Sequence, residues 1–83
     1  MKGKEVKKII DIITTVHDEL VGETSKTTDN PAETLGMHMG IAMASVGIAH
    51  IIMAQIGVVS EITIGGRTWI IGYPSGPKQK ETK

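Results

Sequence analysis

Between Thr34 and Ser60 the chain runs for 27 residues without a single Asp, Glu, Lys or Arg. A helix on the surface of a small monomer turns one side to water, and that side normally carries charge. A charge-free run of this length therefore has two outcomes. Other protein covers it, from the same chain or a second copy, or it lies in a bilayer, which about 20 apolar residues suffice to cross. The pair Gly36 and Gly40 in GMHMG has the small-xxx-small spacing of membrane helix contacts. Against a bilayer stand His38, His50, Gln55 and several glycines, which lower the hydropathy. The flanks, Asp29 and Glu33 before and Glu61 after, are acidic, and no basic or aromatic anchor sits beside the first end. A soluble protein whose long helix is shared between its own core and a symmetric partner is the reading preferred here, with a membrane protein having one transmembrane helix at about 34–60 as the alternative.

The boundaries of this helix are legible. Asn30 can cap it, Pro31 suits the first helical position and Glu33 falls three residues after the cap. Gly57 is the expected terminator. A helix over 31–56 spans roughly 39 Å at 1.5 Å per residue, with Gly40 or Gly47 as a place where it could break. Upstream, Val6, Ile9, Ile13, Val16 and Leu20 alternate spacings of three and four, the stripe of an amphipathic helix over 4–21. Ile10 and Val21 widen the stripe, Ile12 is a misfit, and Gly22 is the expected stop. Residues 22–30, GETSKTTDN, form a polar loop.

Downstream, residues 58–64 and 67–73 read as two strands joined at Gly65-Gly66, a two-residue hairpin signal. That turn pairs Ile64 with Arg67, Thr63 with Thr68, Ile62 with Trp69, Glu61 with Ile70 and Ser60 with Ile71. Ile62, Ile64, Trp69 and Ile71 then share the packed face. The tail PSGPKQKETK has the composition of a disordered, basic end. The expected fold class is thus α+β: amphipathic helix, polar loop, long apolar helix, hairpin. Residues 1–73 form one domain and 74–83 a flexible tail.

The chain has 83 residues, enough for one marginal core, and small domains without disulfides often gain stability by associating. There is no Cys, which removes disulfides, thiolate metal sites and a Cys nucleophile together. Net charge is zero but segregated: +3 over residues 1–8, −5 over the middle and +2 over residues 74–83. Basic ends can touch anionic partners, or simply stay solvated. The basic start leads into an amphipathic helix containing Asp11, not into a signal sequence, so a cytoplasmic location is expected.

On the long helix, Gly36, Gly40, Ala44, Gly47 and Ile51 share an arc of about 80°, a small-residue groove. Beside it Met39, Met43, Val46, His50 and Met53 form a seam at alternating spacings of four and three, whose methionines adapt readily. The residues assigned to a contact between copies are therefore Gly36, Met39, Gly40, Met43, Val46, Gly47, His50 and Met53. In that contact His50 would meet its mate, and acid would weaken assembly by charging both. Asn30, Glu33 and His38 at the helix start, with Arg67, Trp69 and Tyr73 on the hairpin, are the candidates for binding a protein partner or a small ligand. An anion could sit on the helix N-terminus if its amides are free.

No motif for catalysis stands out, and no cofactor or metal is expected. His38 and His50 lie about 120° apart on the helix and cannot share a metal within one chain. The soft ligands Met37, Met39 and Met43 point in too many directions for a copper site. His17-Asp18-Glu19 is read as a solvated helix end, since adjacent helical residues diverge. GGR at 65–67 lacks the pattern of a phosphate loop. Two helices followed by a hairpin resemble a winged-helix module in topology only, and the second helix has no Lys, Arg or Asn to read bases; nucleic acid is an unlikely partner on these grounds. The function expected is a non-enzymatic homo-oligomeric binding module.

Overall fold

The computed structural model describes residues 3–80. Two helices, α1 (Gly3–Thr24) and α2 (Pro31–Ile56), precede an antiparallel sheet of β1 (Ser60–Ile64), β2 (Arg67–Ile71) and β3 (Lys78–Gln79) in the order β1-β2-β3. The fold is mixed α+β.

Both ends of α2 close as their residues dictate. Asn30 holds an extended backbone, and its Oδ1 accepts from the amide of Ala32 at 2.9 Å and of Glu33 at 3.4 Å. Pro31 occupies the first turn, where its missing N–H leaves no unmet bond. At the far end Gly57 adopts φ +73, and the amides of Gly57 and Val58 bond the carbonyls of Ala54 and Met53. The left-handed conformation suits glycine because it has no Cβ to clash. Between these caps the helix is continuous through Gly40 and Gly47. The first helix passes through Gly22, its expected stop, and ends at Thr24, where Ser25, Lys26 and Thr27 fold back onto its last carbonyls.

The hairpin has the register expected from its turn, from Ser60 opposite Ile71 to Ile64 opposite Arg67. Gly65 and Gly66 take φ of +61 and +78. Two positive φ values define the turn whose twist matches that of paired strands. Thr63 and Thr68 hydroxyls meet at 3.0 Å across the pair.

The tail departs from its expected disorder. A turn at Tyr73–Gly76 reverses the chain, and Lys78 and Gln79 pair with Ile70 and Trp69. The amide of Lys80 donates to Thr68 at 2.8 Å, and its Nζ sits 3.3 Å from both carboxylate oxygens of Glu61. The free edge of β2 is a row of unpaired backbone groups; the Tyr73–Gly76 turn lets the tail satisfy part of it. The remainder of the expected tail, 81–83, lies outside the described residues.

The core sits where α2 crosses the hairpin. Val46, Ala49 and Met53 meet Ile62, Ile64 and Ile71, with Val6 of α1 at the margin and Ile9, Ile10, Ile13, Ile52, Ile56 and Trp69 around them. Met53, Ile62, Ile71 and Val46 are essentially fully buried. At about 25 cal/mol per Å² each contributes about 1.5–3 kcal/mol.

Candidate functional site

The sheet and α1 take up roughly half of the circumference of α2. Ser45, Val46, Ala49 and Met53 are buried, and Ile41, Ala42, Ile52 and Ile56 partly so. The opposite half, centred on Gly36, Gly40, Ala44, Gly47 and Ile51, has no cover from this chain. A Cβ added at Gly36, Gly40 or Gly47 would meet nothing within 4 Å. Beyond Glu33 in the first turn this half carries no charge, and the apolar surface continues around it: Met43 on one flank is 58% exposed, Ile48 on the other 54%.

The first helix extends that surface. Ile12, Val16 and Leu20 are about half exposed and form a ridge beside α2. An apolar groove of about 510 Å³ runs between the ridge and the Gly40–Ala44–Ile48 side of α2. On the other flank of α2 lies a second cleft of about 260 Å³, lined by Leu35, Met39, Ala42, Met43, Ile64, Gly65, Arg67 and Trp69. One cation thus borders an otherwise aliphatic and aromatic hollow.

The structure divides the residues expected to join two copies. Gly36, Met39, Gly40 and Met43 are exposed and Gly47 is half-buried, so all remain on or beside the open half. Val46 and Met53 are corrections: they are 1% and 0% exposed and already closed against the hairpin, so they present no surface to another copy. The expected seam straddles the two halves of α2, because a one-dimensional pattern does not separate the face that meets the sheet from the face left open. His50 is a third correction. Its Nδ1 accepts the backbone amide of Gly72 at 3.0 Å, so the ring bridges α2 to the end of β2 and is not poised to meet a mate.

The ligand candidates separate likewise. Arg67 and Trp69 come together in the second cleft. Asn30 spends its Oδ1 on the helix cap, which engages the amides that an anion would need. Glu33 accepts the Thr28 hydroxyl at 2.9 Å, and His38 Nε2 lies 3.1 Å from the Ser25 hydroxyl. These three hold the loop onto α2. Tyr73 stands apart, with Lys78 Nζ 5.6 Å from its ring centroid.

His17 is not part of a solvated helix end. It is 6% exposed, in line with Val6, Ile10, Ile13 and Val21 on the side of α1 that faces inward, and its Nδ1 is 2.9 Å from Asp18 Oδ1. Exposed Val16 and Leu20 and buried His17 together mean that α1 is rotated from its hydrophobic stripe. Ser45, buried on α2, donates to the Ile41 carbonyl at 2.8 Å. Among the described residues every buried side-chain polar atom has a partner, and no three His, Asp or Glu side chains converge on a metal-sized site.

Sequence reasoning passed over Ile48, weighed Met37 only as a soft metal ligand and set Ile12 aside as a misfit. The signal was present: a misplaced Ile on an amphipathic helix marks a second apolar surface, and Ile12 and Ile48 both line the flanks of the groove. Comparison with known proteins finds no matching family model, no similar curated protein and no similar solved structure.

Proposed function

We infer that the chain is a non-enzymatic, self-associating binding module of the cytoplasm. Its association surface is the open half of α2 together with the α1 ridge, and its cleft at Arg67 and Trp69 receives a protein partner or a small ligand. One observation carries this reading. A continuous apolar surface, holding Ile12, Val16, Leu20, Met43, Ile48 and Ile51 at roughly half exposure or more, is left uncovered by its own chain. Contiguous patches of this kind mark interaction surfaces, and a small domain gains from closing one.

Sedimentation velocity at micromolar concentration in detergent-free buffer tests the reading. Wild type is expected as a dimer or larger. Ala44→Glu puts a carboxylate on the groove floor, where burial would cost several kcal/mol, and is expected to yield a folded monomer. A wild-type monomer would overturn self-association.

The second reading, a membrane protein, draws support from α2 being long and apolar enough to cross a bilayer. It predicts that the protein floats with liposomes and needs detergent to stay in solution. The half of α2 packed on α1 and the hairpin supports the soluble reading, because that contact would have to open for the helix to span lipid alone.

A further inference from the structure

Two copies of one apolar face can meet parallel or antiparallel, and the charges that border the face discriminate between these. Along α1 the charge changes sign. Lys4, Lys7 and Lys8 against Glu5 leave Gly3–Lys8 at +2, whereas Asp18, Glu19 and Glu23 leave Asp18–Glu23 at −3. Taking about 100° per residue, Lys8 lies about 40° and Glu19 about 20° to one side of Ile12, and Glu23 lies about 20° to the other. Both ends of the gradient therefore flank the exposed ridge. Lys7 is paired with Asp11 at 3.1 Å and Glu23 with Lys26 at 3.4 Å, while Lys4, Lys8 and Glu19 make no ion pair among the described residues.

Parallel copies would set like charge against like, which is destabilising. Antiparallel copies set the basic end of each against the acidic end of the other. We propose that a second copy of this chain docks antiparallel, the Ile12–Val16–Leu20 ridge of each lying in the α1–α2 groove of the other, with Lys8 and Lys4 of one copy beside Glu19 and Glu23 of its mate. A two-fold axis crossing α1 between Thr14 and Thr15 serves both contacts: it sets Ile12 and Val16 of each copy at the level of the other's Ile13–His17 stretch, inside the groove, and Lys8 at the level of Val21, between Glu19 and Glu23, with Lys4 just beyond. Four helices then share one apolar centre, a stable arrangement of layers, and the hairpins lie outermost. The groove, at about 510 Å³, has the volume of sites that enclose whole ligands and so can take a row of aliphatic side chains. An anionic bilayer is a poorer occupant, since Glu19 and Glu23 would face its headgroups, whereas a second copy satisfies both signs. The proposal rests on the self-association inferred above and adds its orientation.

Charge reversal tests it, read by sedimentation velocity of the full chain at low salt, with circular dichroism to establish that each variant folds. The variant Lys4→Glu with Lys8→Glu and the variant Glu19→Lys with Glu23→Lys are each expected to raise the dimer Kd by about tenfold or more, since the two-fold axis makes each double reversal exchange four attractions for four repulsions. An equimolar mixture of the two, or all four changes in one chain, is expected to recover wild-type affinity. High salt is expected to weaken the wild type and to strengthen either reversed variant. A wild-type dimer that both reversals leave unchanged overturns the antiparallel arrangement and leaves self-association standing. A wild-type monomer, or a protein that only floats with anionic liposomes, overturns both.

Discussion

The two sides of α2 use small residues in opposite ways. On the hairpin side the chain comes within contact distance and a glycine is obligatory: a Cβ at Gly72 would sit 2.0 Å from the Val58 carbonyl oxygen and 3.2 Å from the Met53 Cβ, and φ there is +95. On the outer side a Cβ added at Gly36, Gly40 or Gly47 would meet nothing within 4 Å. Identical residues are thus a steric requirement in one place and an unfilled surface in the other. Glycine in a helix interior costs about 1 kcal/mol against Ala, so the outer glycines destabilise the isolated chain unless another surface closes on them.

The sharpest way to break this contrast is Gly72→Ala. The substitution adds volume where backbone already stands and forces a side chain into a positive φ, for a loss of about 3 kcal/mol or more. In a domain of this size that is expected to abolish the cooperative thermal transition followed by circular dichroism. A normal melt would mean that the β2 end does not lie on Val58. Met53→Ala comes next. Met53 is 0% exposed at the centre of the core, and emptying such a site costs about 2–5 kcal/mol. Urea unfolding should show a lower midpoint with an unchanged slope.

His50→Ala is expected to cost about 1–3 kcal/mol, since it strands the Gly72 amide that Nδ1 now satisfies. Its signature is local: hydrogen exchange at the Gly72 amide should quicken more than exchange at Ile62 or Ile71. Equal acceleration everywhere would place the ring's contribution in packing alone. The smallest effect belongs to the outer side. Gly40→Ala is expected to stabilise the monomeric Ala44→Glu background by about 0.5–1 kcal/mol, raising its melting temperature. In the wild-type background the same change should loosen self-association if a neighbouring backbone lies on Gly40, and leave it untouched if the neighbour stands off.

Local physics carried much of this molecule in plain view. The Asn30-Pro31 start and Gly57 stop of α2 are short-range signals, because capping needs only the four or five residues around a helix end. The hairpin register followed from Gly65-Gly66 alone, since a two-residue turn leaves no freedom in which residues face each other. The tail's pairing is not legible in the sequence because β3 is only Lys78–Gln79. Its pairing comes from the free edge of β2, not from any strand propensity in PSGPKQK.

What the sequence settled by itself was therefore the order α1-α2-β1-β2, both ends of α2 and the absence of charge on α2 beyond Glu33. Which part of α2 the chain would use for its own core was settled by tertiary structure. The helix is apolar nearly all the way round, so its pattern contains no preferred face, and the direction of burial comes from where the hairpin and α1 are able to pack. That choice sent Val46, Ala49 and Met53 inward, engaged His50 with Gly72 and turned α1 until His17 was covered and Val16 and Leu20 were not. A one-dimensional pattern can say that a surface is apolar; only packing decides which surface is consumed, because burial is a property of two elements at once.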